Sequence, residues 1–141
     1  TIEQLVALAI LMPIVASMGG NAATQTVTVA VRAIALRQLD AVSTRNFVLR
    51  EALIALLNGL IFAVLAGGLS FIWFGNIQVA AVMGVAMLAN LLVAGLSGTL
   101  VPIGLLRAGV DPAVASSVFV TTITDVVGFF VFLGLAALYL M

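Results

Sequence analysis

The fold is decided by residues 79–106, VAAVMGVAMLANLLVAGLSGTLVPIGLL, a stretch without a single charged side chain. It exceeds the roughly 20 apolar residues that a helix needs to cross about 30 Å of hydrocarbon. Three similar stretches lie at about 2–36, 52–74 and 113–141. Polar breaks separate them at 37–51, 75–78 and 107–112. The sequence therefore predicts an all-α integral membrane protein with four transmembrane helices.

The composition is that of a chain surrounded mostly by lipid. Of its 141 residues, 65% are hydrophobic and only 7% are charged, and the mean hydropathy is +1.38. A soluble domain has about 45–50% apolar and about 25% charged residues. The five basic and five acidic side chains cancel, so the charge gives no indication of a surface that binds nucleic acid.

The absent residue types exclude most kinds of catalytic site. The chain contains no histidine, no cysteine and no lysine. It therefore has no Cys/His zinc site, no Ser-His-Asp triad, no cysteine nucleophile and no P-loop. These absences favour a protein that is not an enzyme.

The arginines predict the orientation of the helices. If the helices alternate in direction, all five lie on one side, at positions 32, 37, 45, 50 and 107. Arginine-rich loops face the cytoplasm. We therefore expect the first and third connecting loops to be cytoplasmic and both termini of the chain to lie outside. An intact protein with a cytoplasmic N-terminal portion would need one more helix before Thr1.

The first apolar stretch is too long for a straight crossing. About 35 residues at 1.5 Å each reach roughly 52 Å, so this helix must tilt, protrude or break. Proline removes a backbone hydrogen bond, and paired glycines allow unusual dihedral angles. We therefore predict a break at Pro13 and the following Gly19-Gly20 pair.

Two of the predicted helices carry a polar stripe. At 100° per residue, polar side chains of the first helix share an arc of roughly 100°. They are Asn21, Thr24, Gln25, Thr28 and Arg32. A similar arc of the last helix holds Ser117, Thr121, Thr124, Asp125 and Gly128. Two such stripes, if they face each other, would form a hydrophilic path.

Asp125 is the most informative residue of the chain. It lies about 20 Å along its helix from Pro112, and Asn21 lies about 16 Å from Arg32, so we expect both near the middle of the membrane. An acid at that depth costs about 2.5–3.5 kcal/mol on insertion scales and marks an ion or proton pathway. No arginine is expected at that depth. The counter-charge is therefore a cation, or a proton bound to the acid itself.

Structural roles are expected for the other polar and small residues. Packing between helices explains the amides at 58 and 90 and the glycines at 67, 68, 95 and 98. Arg32 is interpreted as an interfacial anchor. Asp111 is predicted to cap the last helix, with Pro112 at its first position.

Three segments together resemble a known family: residues 13–32 (PIVASMGGNAATQTVTVAVR), 90–95 (NLLVAG) and 116–125 (SSVFVTTITD). Over essentially its whole length the chain is similar to the transmembrane domain of MgtE, a family of bacterial magnesium channels. The most specific elements are the Gly-Gly-Asn-x-x-x-Gln motif at 19–25 and the single acid, Asp125, in a last helix rich in serine and threonine.

The resemblance implies a homodimer with five transmembrane helices per subunit and a pore along its two-fold axis. The four predicted helices match the second to fifth helices of the family, of which the second and fifth line the pore. The first helix and the cytoplasmic regulatory domains, including a CBS pair, are then expected outside this chain.

The resemblance also implies roles for individual residues. Asp125 matches the acid that holds hydrated Mg²⁺ at the centre of the pore. The predicted lining comprises Gly19, Gly20, Asn21, Thr24, Gln25, Thr28, Ser117, Thr121, Thr124 and Gly128. Ala23 departs from the glycine that the family often has there.

These observations predict a magnesium channel of the bacterial plasma (inner) membrane, in which the hydrated ion moves down its electrochemical gradient. A proton- or sodium-coupled secondary transporter of divalent cations stays open, because it could use the same acid and the same broken helix. An intramembrane aspartyl protease would need two apposed acids, and the polar stripes favour a pore instead.

Overall fold

A computed structural model describes residues 2–37 and 41–139. These residues form four α-helices: α1 (Ile2–Ala35), α2 (Ala41–Phe74), α3 (Ile77–Arg107) and α4 (Pro112–Tyr139). Each helix is long and apolar enough to cross a membrane, with a mean hydropathy between 1.8 and 2.3. By length and composition, the prediction of four membrane-spanning helices is confirmed.

Two short connections follow from the residues that cap the helices. The side-chain oxygen of Asn76 accepts hydrogen bonds from backbone N–H groups two and three positions later, at 2.9 and 3.3 Å. Asp111 accepts one at 3.0 Å from the N–H group two positions later, and α4 begins at Pro112, so the predicted cap is confirmed. Gly75 and Gly109 have positive φ angles of 66° and 81°, which let the chain turn there.

The first helix is continuous, so the predicted break at Pro13 and the Gly19-Gly20 pair is wrong. The glycines allow close contact with other helices instead. A Cβ atom at Gly19 would overlap the amide of Asn90, and one at Gly20 would lie 3.4 Å from Cγ2 of Thr121. Contacts with α3 and α4 support the helix at this point. Because the helix is unbroken and about 50 Å long, it must tilt in the membrane or protrude from it.

The second helix begins at Ala41 and not near residue 52 as predicted. Its polar first part is helical because Phe47 is buried in a cluster with Ala30 and Ala33 of α1. The polar composition of this segment marks the boundary of the apolar region, not the start of the helix. Residues 38–40 of the predicted break and residues 140–141 of the predicted last helix lie outside the described residues.

The third helix is the centre of the bundle. It contacts all three other helices, and α1 also contacts α4. Gly19 lies beside Asn90 and Thr26 lies beside Gly98, so α1 and α3 run parallel. Helices α2 and α4, joined to α3 by short turns, run in the opposite direction. The alternation places all five arginines toward the end of the bundle where α1 and α3 finish.

The hydrophobic core lies between α1, α3 and α4. Its largest fully buried side chains include Phe132, Met83 and Met87. Helix α2 packs outside this core against α3, and much of its apolar surface is exposed. Such a surface is the kind that lipid covers in a membrane.

Glycines set the helix contacts, largely as the sequence predicts. A Cβ atom at Gly67 would lie 3.1 Å from a backbone oxygen of α3, and one at Gly98 would lie 3.0 Å from a backbone oxygen of α1. A Cβ atom at Gly95 would lie 3.3 Å from the backbone oxygen of Glu51 in α2. The packing roles predicted for these three glycines are confirmed. Gly68 has no atom of residues 2–37 and 41–139 within 4 Å of its Cβ position, so its packing role stays a prediction.

Candidate functional site

A polar face lies along α1 and α4 where the two helices meet. Six of the predicted lining residues are exposed: Asn21, Thr24, Gln25, Thr28, Ser117 and Thr121. Gly20 is buried against Thr121, and this contact joins the two halves of the face. The structure therefore brings the two predicted stripes to neighbouring helices.

Asp125 lies one turn beyond Thr121 in the same row of α4, and its side chain is half-buried. Within residues 2–37 and 41–139, no group forms a hydrogen bond or an ion pair with its carboxylate. In the same part of the chain, no three Asp or Glu side chains lie close enough to hold a metal ion together. One chain thus presents a single uncompensated carboxylate at this face.

The hydroxyl groups of the face are turned toward their own helices. Thr24 donates a hydrogen bond to the carbonyl oxygen of Gly20 at 2.9 Å, and Thr28 donates to that of Thr24 at 3.0 Å. Thr121 donates in the same way to the carbonyl oxygen of Ser117. A hydroxyl that donates its proton to the backbone keeps lone pairs that can accept. The face is therefore rich in acceptor oxygens.

Three predicted lining residues lie inside the chain and not on this face. Thr124 is fully buried, and its hydroxyl donates to the carbonyl oxygens of Val120 at 3.0 Å and Thr121 at 3.1 Å. Gly19 and Gly128 both lie against the side chain of Asn90. A helical arc of 100° spans more than one row of side chains, and the row containing Thr124 and Gly128 is the one that packs against neighbouring helices.

Asn90 is the buried contact that joins α1, α3 and α4. Its side-chain nitrogen donates a hydrogen bond to the carbonyl oxygen of Val15 at 3.0 Å. Its side-chain oxygen is buried and has no partner among the described residues. The packing role predicted for Asn90 is confirmed.

Sequence reasoning missed one charged residue of α2. Glu51 is 8% exposed and lines a cavity between α1 and α2, together with Gln25 and Asn58. The signal was present, because Glu51 and Asn58 are seven positions apart and share a face of a helix. The assignment of residues 37–51 to a polar break hid this spacing.

Comparison with known proteins identifies the family. A family model described as a divalent cation transporter, MgtE, matches residues 12–135. The chain belongs to the MgtE family. The resemblance inferred from the Gly-Gly-Asn-x-x-x-Gln motif and Asp125 is thereby confirmed.

Three MgtE relatives are each named magnesium transporter MgtE. The protein from Thermus thermophilus is 37% identical over 139 residues, which cover 99% of this chain and 31% of that protein. The protein from Bacillus subtilis is 32% identical over the same shares of the two chains. The protein from Enterococcus faecalis is 32% identical over 133 residues, or 94% of this chain and 29% of that protein. The chain thus spans about a third of the length of the curated relatives it matches.

Proposed function

We propose that this chain conducts hydrated Mg²⁺ across the membrane, past Asp125, in a pore formed with a second copy at a two-fold axis. The observation that carries the proposal is the carboxylate of Asp125. It lies at a polar face and has no hydrogen bond or ion pair with the described residues. The name of the relatives supplies magnesium as the ion.

A second copy would complete the charge at the site. Asp125 contributes one negative charge per chain, so two copies related by a two-fold axis match the double charge of Mg²⁺. An unpaired acid at membrane depth is unfavourable without such a partner. Apposition of two α1–α4 faces would place both carboxylates around one ion and close the polar face to lipid.

The polar face suits an ion that keeps its water. Mg²⁺ dehydrates reluctantly, prefers octahedral coordination, and is held in proteins through one or two carboxylates and several waters. Water bound to a cation donates hydrogen bonds outward. The hydroxyl oxygens of Thr24, Thr28 and Thr121 are free to accept such bonds, because their protons are donated to the backbone.

The electrochemical gradient suffices to drive the ion inward. A potential that is negative inside favours entry of a divalent cation by roughly 4.6 kcal/mol per 100 mV. With the arginine-rich loops in the cytoplasm, the protein lies in the bacterial plasma membrane as a multi-pass homodimer.

A flux experiment tests the proposal. The chain is reconstituted in liposomes that contain a Mg²⁺-sensitive dye, and a potassium diffusion potential is applied without a proton or sodium gradient. We expect potential-driven Mg²⁺ entry that Asp125→Ala reduces at least about 100-fold, the equivalent of about 2.7 kcal/mol on a barrier. Helix content and oligomeric state are measured for each variant.

Thr122→Val is the matched control. Thr122 is exposed on α4, and its hydroxyl donates to the carbonyl oxygen of Val118 at 2.8 Å. This variant removes a polar group from the same helix and is expected to leave the flux unchanged. Unchanged flux in Asp125→Ala would overturn the proposal. Entry that requires a proton or sodium gradient would replace the channel with a coupled transporter.

A further inference from the structure

A polar cavity lies between α1 and α2, and Gln25 of the polar face contributes to its lining. It has a volume of about 290 Å³. Its polar lining consists of Gln25 and Thr26 of α1 and Glu51 and Asn58 of α2. Its floor is formed by α3 at Leu91 and Gly95.

The carboxylate in this cavity is buried but only weakly paired. The side chain of Glu51 is 10% exposed, and one of its oxygens lies 3.7 Å from one guanidinium nitrogen of Arg50. The Arg50 side chain itself is 66% exposed and lies 5.9 Å from the ring of Phe47. An exposed pair with a single long contact contributes little. The pair with Arg50 therefore leaves the carboxylate oxygens of Glu51 available to a cation.

The walls of the cavity are held by close contacts at two glycines of α3. A Cβ atom at Gly98 would lie 2.6 Å from Cβ of Thr26, and one at Gly95 would lie 3.3 Å from the backbone oxygen of Glu51. These two glycines lie one turn apart on α3. They hold α1 and α2 close to the same helix, so the space between the two walls is a built feature of the bundle.

The size and the ligand atoms of the cavity fit a hydrated divalent cation. Six waters at about 30 Å³ each occupy about 180 Å³, which the cavity accommodates. One carboxylate and two side-chain amides supply oxygens. The hydroxyl of Thr26 donates to the carbonyl oxygen of Ala22 at 3.0 Å and keeps its lone pairs for a water.

We propose that this cavity is a second cation site, one in each chain, where Glu51 binds Mg²⁺ through the waters of the ion. Gln25 lies one turn from Asn21 on α1, so the site adjoins the polar face without including Asp125. The identity of the ion rests on the proposed function. The site itself rests on the cavity, the buried carboxylate and the glycine contacts.

Counting bound ions separates this site from the pore site. The chain is placed in lipid nanodiscs and titrated with Mn²⁺, which prefers the same oxygen ligands as Mg²⁺. Free Mn²⁺ is measured by its electron paramagnetic resonance signal, and Mg²⁺ is used as the competitor. We expect three ions per two chains in the wild type, two in the cavities and one at the two-fold axis.

Glu51→Gln should lose two of the three ions and keep the one at the axis, and the remaining ion shows that the variant has folded. Unchanged binding in Glu51→Gln would overturn the proposal. Asp125→Asn should lose only the axial ion. If it loses none while Glu51→Gln loses two, the proposed pore site fails and the cavity site stands.

Arg50→Gln distinguishes a cation site from a structural ion pair. Removal of the arginine takes away a competing positive charge, so the cavity ions should bind as tightly as in the wild type or up to about 5-fold more tightly. If the wild type binds only the axial ion and Arg50→Gln gains two more, Arg50 is the partner of Glu51 and the proposal is overturned. Asn58→Ala, a change at an exposed residue, should weaken the same two ions and leave the axial ion unchanged.

Discussion

Asp125 and Glu51 are both carboxylic acids within apolar helices, but their surroundings differ. Asp125 is half-buried at the face shared by α1 and α4, and no group of the described residues pairs with it. Glu51 is 8% exposed, lines a cavity formed by residues of α1, α2 and α3, and lies 3.7 Å from Arg50. One acid faces outward from the chain, and the other lies among residues of its own chain.

This difference shows how the burial of an acid indicates whether its neighbours belong to the same chain. Glu51 receives amide and hydroxyl neighbours from its own chain, so its site can be complete in one subunit. Asp125 faces outward, so a site built on it would need neighbours from outside the chain. The same residue chemistry therefore predicts a site within one chain in one case and a site between chains in the other.

The largest effect is expected at Asp125, where we propose that two chains share one site. The chain has no cysteine, so a single thiol can be introduced at Thr121, one turn from Asp125. Thiolates bind soft cations tightly, and a two-fold axis brings two of them together. Thr121→Cys should make Mg²⁺ flux at least about 100-fold more sensitive to Cd²⁺, as measured in the liposome assay.

Val126→Cys is the control for this experiment. Val126 is exposed and lies about 140° around α4 from Thr121. Its Cd²⁺ sensitivity should equal that of the wild type. If the two cysteine variants were equally sensitive to Cd²⁺, Asp125 would not lie at an interface, and the contrast with Glu51 would be wrong.

The second-largest effect is expected on stability, from a change in the walls of the Glu51 cavity. Gly98→Ala should lower the free energy of unfolding by about 2 kcal/mol, because the added methyl group meets Thr26 and a backbone oxygen that cannot move freely. Thermal unfolding followed by circular dichroism measures this change. Gly134→Ala is the matched control, since no atom lies within 4 Å of its Cβ position. It should raise the free energy of unfolding by about 0.5–1 kcal/mol, and a loss of similar size in both variants would contradict the role of close packing.

A smaller effect compares the two acids directly in the absence of divalent cations. Asp125→Asn should raise the free energy of unfolding by about 1–2 kcal/mol, because it removes an uncompensated charge from membrane depth. Glu51→Gln should change the free energy by less than about 1 kcal/mol, since it removes both a buried charge and a weak pair with Arg50. Denaturant unfolding in detergent measures both values. A destabilised Asp125→Asn variant would show that the carboxylate has a partner within the chain.

The smallest effect comes from a third acid with a purely local role. Asp111 accepts a hydrogen bond from the first turn of α4 at 3.0 Å. Asp111→Ala should lower the free energy of unfolding by about 1 kcal/mol, whereas Asp111→Asn should leave it unchanged because asparagine caps equally well. Thermal unfolding of the two variants provides the measurement. A large loss in Asp111→Asn would indicate that the charge itself matters.

Much of the fold could be predicted from the sequence, since lipid imposes strong rules on composition. Four apolar stretches predict four spans, and Asp111 with Pro112 predicts the start of α4. The start of α2 could not be predicted in this way. Hydropathy reports where a helix leaves the apolar region, and the burial of Phe47 against α1 decides how far the helix continues.

The candidate site could be predicted only in part. Periodicity places Asp125 and Thr121 on one side of α4, but it does not show which row of that side faces another helix. Thr124 and Gly128 are buried, Gly128 against Asn90 of α3, whereas Thr121 stays exposed. The same limit applies to Gly19 and Gly20, because a glycine pair is equally compatible with a broken helix and with a close contact. The positions of Asn90 beside Gly19 and of Thr121 beside Gly20 distinguish the two.

The buried amide of Asn90 has a consequence for motion of the bundle. It lies against Gly19 of α1 and Gly128 of α4, and it donates a hydrogen bond to the carbonyl oxygen of Val15. Separation of the helices at this level would leave a polar group unpaired in an apolar interior, whereas separation at either end would not. Asn90 therefore opposes separation of the helices at this level more than at either end. If α1 and α4 tilt about this contact, a wider gap at one end of the polar face accompanies a narrower one at the other.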